Sequence, residues 1–189
     1  MIKRIVYSII QAWRQRKALC AVYRDSNQQV PTLLQINCEK IYAAGIRVLI
    51  LDFDGVMAWH GATEPLSEIN TWLRTAIQRF GEERIFILSN NPMPCRKAYF
   101  TREYPQLRFV SGIRKKPYPD GVLNISQMTN LPCAQMLVVD DRLLTGVLAA
   151  VLAESKVVLL TSPYVSWRHA TLPEAFFWML RKIERLLFG

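Results

Sequence analysis

Apolar residues recur at Ile2, Ile5, Val6, Ile9, Ile10 and Trp13, and this helical spacing leaves Lys3, Arg4, Gln11 and Arg14 toward the other side. Residues 2–14 therefore read as an amphipathic basic helix. A polar stretch at 25–29 and Pro31 follow, and 33–44 reads as a short helix that Gly45 ends. The pattern then changes. Residues 46–51 are apolar except for Arg47, as expected of a strand buried on both faces of a parallel sheet. Strand-like and helical segments alternate from there: helix 66–80, strand 84–88, helix 95–103, strand 107–110, helix 121–129, strand 136–139, helix 144–154 and strand 156–160. Such alternation predicts an α/β fold with a doubly wound, mainly parallel sheet, whose chemistry sits at the C-terminal ends of the strands. The last helix opens with the capping-box spacing of Thr171 and Glu174, with Pro173 between them. Its stripe of Phe176, Phe177, Met179, Leu180, Ile183 and Leu187 is expected to face the core, with Arg181, Lys182 and Arg185 off it.

At 189 residues the chain suits one domain with additional terminal helices, here a basic segment 1–30 and a body 31–189. No run of eighteen apolar residues is present, the longest uncharged apolar stretches being 143–153 and 157–167. Cys20, Cys38, Cys95 and Cys133 are scattered without a CxxC spacing, so they read as reduced thiols in a cytoplasmic setting, on or near the inner membrane face. The net charge of +9 asks for an anionic partner, and residues 1–30 hold six cations against one acid. That concentration leaves two readings of the first helix: docked on the protein's own core, or lying in an interface with anionic headgroups.

The strand at 48–51 runs directly into Asp52-Phe53-Asp54-Gly55-Val56. Two carboxylates where a buried strand meets the mouth of a sheet would each cost several kcal/mol if left unpaired. They need a cation or a reaction; a turn that merely contains Asp and Gly is the bland alternative.

This segment resembles the first motif of the haloacid dehalogenase superfamily. Leu88-Ser89-Asn90-Asn91 resembles its second, Lys115-Lys116-Pro117 its third and Val138-Val139-Asp140-Asp141 its acidic fourth, in the family's order and each at or just after a strand end. The chain is most similar to the YqeG-type phosphatases, which include the mitochondrial phosphatidylglycerophosphatases. Ala44-Gly45-Ile46, Ser89-Asn90-Asn91, Lys116-Pro117, the stretch from Asp141 to Leu148 and the terminal Arg181 to Leu187 carry that likeness. The resemblance implies a Rossmann-like domain in which Asp52 attacks phosphorus and Asp54 is the acid and base. Ser89 and Asn90 would bind the phosphoryl group, and Lys116 would supply fixed positive charge. It also implies Mg2+, held by Asp52, the Asp54 carbonyl and Asp141.

One departure stands in the fourth motif. YqeG-type sequences carry Gly before the metal Asp and a second Asp five residues after it, where this chain has Asp140 and Gly146. Asp140 is expected to replace the missing carboxylate through the metal's water shell; otherwise the metal is weakly held and the enzyme slow.

Spacings of 35, 27 and 25 positions between Asp54, Ser89, Lys116 and Asp141 leave no room for a cap domain. The loop 58–65, with Trp59 and His60, is at most a flap, and His60 either approaches the leaving group or has no role. An open site suits a phosphate displayed on something large, a lipid headgroup, polymer or protein. Together with the basic N-terminal helix, the resemblance implies phosphatidylglycerophosphate as the leading substrate and an anionic membrane surface as the partner. The alternatives are a soluble phosphatase of sugar phosphates or nucleotides, or a non-catalytic peripheral membrane protein that keeps the fold. Nucleic acid is not the expected partner, since no aromatic and basic cluster marks a base-stacking face.

Overall fold

The computed structural model describes residues 2–110, 114–169 and 171–188, with the side chains of Thr171 and Pro173 also outside the description. Six strands form one parallel sheet: β1 (Gln29–Val30), β2 (Val48–Leu51), β3 (Ile85–Leu88), β4 (Arg108–Val110), β5 (Met136–Asp140) and β6 (Lys156–Leu160), in the order β1-β6-β5-β2-β3-β4. From β2 the chain winds outward through β3 and β4, then returns to build β5 and β6 on the other side. The winding direction therefore reverses between β2 and β5, and a crevice opens there at the strands' C-terminal ends. Leu51 pairs with Ile87 on one side and Val139 on the other, so the first, second and fourth motifs leave the sheet at one level.

The apolar runs fold as strands because both faces are covered. Leu49, Leu51, Ile85, Ile87 and Val139 pack in one core with α3 (Cys38–Ala43), α4 (Ser67–Phe80) and α5 (Pro94–Glu103). Val48, Ile50, Phe86, Leu88 and Val138 point the other way, toward α2 (Arg16–Arg24), α6 (Asp120–Thr129) and α7 (Leu148–Leu152). The alternation follows from the period of two along a strand.

Three elements differ from the sequence expectation. The helix at 33–44 is two pieces, a single 3-10 turn at Leu33–Gln35 and then α3, because the Asn37 side chain accepts a hydrogen bond from the Lys40 amide at 3.0 Å and starts a new helix. The helix at 144–154 begins as a π turn, Leu143–Val147, before α7. The polar stretch at 25–29 ends in β1, paired with β6.

Both terminal helices turn apolar residues outward, which on the first is one of its two readings and on the last departs from the expectation. The apolar stripe of α1 (Ile2–Arg14) faces outward, with Ile2, Ile9 and Trp13 exposed to 75%, 60% and 71%. The expectation that the stripe of α8 (Thr171–Phe188) faces the core is corrected: Phe176, Met179, Ile183 and Leu187 are exposed, Phe177 and Leu180 half-buried, and the buried side chains are Glu174, Arg181, Glu184 and Phe188. Charged groups face inward because loop charges await them there. The capping box expected of Thr171 lies outside the described side chains. Among the described residues no helix is long and apolar enough to cross a membrane.

Candidate active site

Asp52 sits one residue past β2, and its backbone N–H still donates to Val139 at 3.0 Å, which keeps it in register with β5. Gly55 then turns the chain at φ +83°, a conformation that favours glycine, and a β-carbon there would lie 2.7 Å from Asp141 Oδ2. Glycine thus seats the first motif against the fourth. Asp52, Asp140 and Asp141 each bring a carboxylate oxygen within 4.8 Å of the other two.

Lys116, buried to 4% exposure, reaches into this cluster. Its Nζ lies 3.0 Å from Asp52 Oδ2 and 2.5 Å from Asp140 Oδ2. The third-motif lysine is therefore a buried cation and not a solvated surface group. Burial opposes its charge, but Asp140 and Asp52 outweigh that and hold the ammonium above the ordinary lysine range. Burial pushes the Asp52 carboxyl well above the usual carboxylate range; Lys116 pulls it back, while Asp140, Asp54 and Asp141 push further. Burial likewise raises Asp141 against the pull of Arg181.

Ser89 is buried at the end of β3, its Oγ accepting from the Asn91 amide at 3.1 Å, which leaves the hydroxyl proton as a donor. Asn90 Nδ2 donates to the Lys116 carbonyl at 3.2 Å and ties the second-motif loop to the third. The peptide bond between Lys116 and Pro117 is cis.

Gly146 lies in the π turn, and a β-carbon on it would fall 2.5 Å from Asp140 Cβ and closer still to the Asp140 carboxylate. The Asp140 side chain thus occupies the space into which an acid at 146 would project.

Four charged residues that pack about the site, Arg96, Arg181, Glu184 and Glu174, have no site role in the sequence reading. Arg96, fully buried, donates from Nη1 and Nη2 to the two Asp54 oxygens at 2.9 and 2.6 Å, stacks over Phe53 and donates from Nε to the Ala62 carbonyl at 2.7 Å. Its signal was present: Arg96 shares a helix face with Tyr99 and Phe100, three and four positions on, so it lies on the apolar side of α5. Arg181 donates from Nε to Asp141 Oδ2 at 2.6 Å, and Glu184 accepts from Arg142 Nε at 2.8 Å and from the Leu143 amide at 2.9 Å. Glu174 accepts from the His60 amide at 3.0 Å and meets His60 Nδ1 at 3.2 Å, with the imidazole stacked on Phe177. His60 is therefore a clasp between the flap and α8.

A family model described as Mitochondrial PGP phosphatase matches residues 21–165. Comparison with curated proteins gave no match. Among solved structures, an uncharacterized protein from Corynebacterium glutamicum is 21% identical, with a TM-score of 0.47 over 72% of this chain and 97% of that one. An uncharacterized protein from Listeria monocytogenes is 15% identical, with a TM-score of 0.49 over 72% and 99%. The N-terminal part of a Bacteroides fragilis protein, containing a phosphatase domain complexed with Mg, is 17% identical, with a TM-score of 0.47 over 76% and 43%. The family match spans the first, second, third and fourth motifs together with the sheet that aligns them, and the chain belongs to the Mitochondrial PGP phosphatase family, within the phosphatases of the haloacid dehalogenase superfamily.

Proposed function

We propose that the protein hydrolyses the phosphate monoester of phosphatidylglycerophosphate, using Mg2+ and a covalent intermediate on Asp52. One observation carries this reading: Asp52, Lys116, Asp140 and Asp141 meet in a single cluster at the point where the sheet reverses its winding.

Four acids, Asp52, Asp54, Asp140 and Asp141, face three paired cations, Lys116, Arg96 and Arg181. A dianionic ester meets a net negative charge in that arrangement, and a divalent cation reverses the sign. The donors are hard oxygens, which suit Mg2+. The carboxylates of Asp52, Asp140 and Asp141 and the Asp54 main-chain carbonyl would hold it. When bound, it supplies charge neutralisation and orientation of the phosphoryl oxygens.

Asp52 attacks phosphorus and the P–O bond to the leaving alkoxide breaks, with Asp54 delivering the proton that the alkoxide takes up. Asp54 then removes a proton from the water that attacks phosphorus, and the acyl phosphate returns to carboxylate and inorganic phosphate. Lys116 is fixed beside Asp52 before substrate arrives, so no reorganisation is needed as charge develops on the phosphoryl oxygens. Both Asp54 oxygens are held by Arg96, so Arg96 sets the angle from which Asp54 meets the leaving group.

The outward apolar stripe of α1 supports a lipid substrate. With its basic flank it suits an anionic bilayer, α1 acting as the membrane-facing segment. Phosphate release by the full chain from phosphatidylglycerophosphate, aryl phosphate, sugar phosphates and nucleotides tests the reading. Mg2+-dependent release that is fastest on the lipid and lost in Asp52→Asn is expected; preference for a small metabolite would reassign the substrate, and no release from any ester would leave only a non-catalytic role.

A further inference from the structure

The two terminal helices hold the catalytic loops with one face and turn an apolar face away from the protein. On α8 the inner groups are Glu174, Arg181 and Glu184, which share one face at intervals of seven and three. They bind the flap at His60, the acid Asp141 and the loop at Arg142 and Leu143. On α1, Ser8 Oγ donates to the Leu144 carbonyl at 2.9 Å, and Tyr7 stacks on Tyr118, two residues past Lys116, at 4.1 Å. Outward, α8 exposes Phe176, Trp178, Met179, Ile183 and Leu186, the last to 86%.

Between α1, α2 and the C-terminal end of α8 lies an apolar groove of about 1090 Å³, lined by Ile9, Trp13, Cys20, Leu144, Leu187 and Phe188. Leu144 belongs to the fourth-motif loop, so the groove and the site share a wall. Arg14, Arg16 and Lys17 stand at the groove's edge, and α1 and α2 contain no acidic residue. This charge fits anionic lipid. It disfavours a second copy of the chain, since two molecules of net charge +9 repel. Exposed Trp13 and Trp178 suit the headgroup level of a bilayer.

We propose that α1 and α8 form one docking surface for an anionic bilayer, and that α8 transmits docking to the catalytic centre, so that membrane contact raises turnover even of a small water-soluble ester. The proposal rests on the phosphatase reading above and adds a regulatory partner to it. In water, α8 is held to the body by its inner ion pairs, by Phe177 on His60 and by Phe188 in the core, while its outer apolar face is hydrated. A bilayer that covers that face binds the docked helix and favours the state in which Glu174, Arg181 and Glu184 hold their loops. The positioning of His60, Asp141 and Leu143 then becomes a function of the surface on which the enzyme sits.

The test uses the full chain with Mg2+ and an aryl phosphate that does not enter vesicles, so its hydrolysis reports the enzyme and not delivery of substrate. Vesicles of phosphatidylcholine alone are compared with vesicles that also contain phosphatidylglycerol. Flotation with the anionic vesicles and an increase in kcat of about fivefold or more are expected, in the range of ordinary coupling between sites. The variant Phe176→Gln/Met179→Gln/Leu186→Gln, altered only on exposed positions, should keep the vesicle-free rate and lose the increase. Amide hydrogen exchange supplies a readout independent of activity: the His60 and Leu143 amides, which donate to Glu174 and Glu184, should exchange more slowly on anionic vesicles in the wild type and not in the variant. Flotation with unchanged kcat and unchanged exchange at those amides overturns the coupling and leaves the phosphatase reading intact. Failure to float, or dimerisation in its place, overturns the docking surface. Hydrolysis absent under every condition, with exchange at His60 and Leu143 still slowed, removes the phosphatase reading and retains the coupling.

Discussion

Substitution of Gly146 by alanine should damage the site through Asp140. A β-carbon at 146 would lie 2.5 Å from Asp140 Cβ, so the collision reaches the root of the acid's side chain, and rotation about its bonds does not fully relieve it. Overpacking of this kind costs about 1–3 kcal/mol. The displaced carboxylate also loses ground with two donors, Lys116 Nζ at 2.5 Å and the Arg142 amide at 2.9 Å. Each hydrogen bond to a charged group is worth about 1.5–3 kcal/mol, so a total of about 2–6 kcal/mol is expected with partial retention of both. At about 2–4 °C per kcal/mol for a chain of this size, thermal denaturation should show a fall in Tm of about 5–20 °C, with loss of phosphatase activity. The exchange Asp140→Gly/Gly146→Asp empties the space that the new side chain needs. In a double-mutant cycle built from Asp140→Gly, Gly146→Asp and the pair, the coupling should favour the pair by about 1–3 kcal/mol. Wild-type stability in Gly146→Ala, or strict additivity of the pair, would refute the idea that one carboxylate occupies the space of the other.

Three further outcomes follow from the ion pairs. Arg96→Met strands Asp54 and the Ala62 carbonyl, and loss of one partner of a buried pair costs about 3–5 kcal/mol, readable by urea denaturation; Arg96→Lys should recover only part of this, because a lysine does not reproduce the two-oxygen grip. Full recovery by lysine would mean that charge alone matters. Asp52 and Asp141 carry raised pKa values in the folded protein without metal, so their contribution to stability is complete below the ordinary carboxylate range and fades as pH rises through the raised values. Mg2+ needs them ionised, so the rise in Tm on adding Mg2+ should be larger at about pH 8 than at about pH 5, and an equal or reversed effect would count against these acids as ligands. The variant Ile2→Gln/Ile9→Gln/Trp13→Gln, altered on the exposed stripe of α1, should float less well with anionic vesicles than the wild type, and equal flotation would remove α1 from the membrane contact.

Much of the sheet and its acids could be read from the sequence because the physics there is local. Strands buried on both faces read as unbroken apolar runs, and an acid at the end of such a run has few structural uses, which is how Asp52 and Asp140 declared themselves. The face of α8 could not be read in this way. An apolar stripe tells which residues share a side and not what that side meets; here Glu174, Arg181 and Glu184 go inward because Asp141, Arg142 and the His60 amide lie beneath them, some 40 or 114 positions away in the chain. The contact between Asp140 and Gly146 was similarly hidden, since helical spacing through 143–152 does not distinguish the π turn that brings Gly146 against the acid.

Borohydride trapping tests most directly whether the residues gathered around Asp52 serve an acyl phosphate. Enzyme quenched during steady turnover with Mg2+ and substrate is reduced, digested and mapped by mass spectrometry. Reduction of the acyl phosphate should convert position 52, and no other acid, to homoserine, with no conversion when substrate is omitted. Continuing turnover with position 52 unmodified, or with the modification at another carboxylate, would contradict Asp52 as the nucleophile.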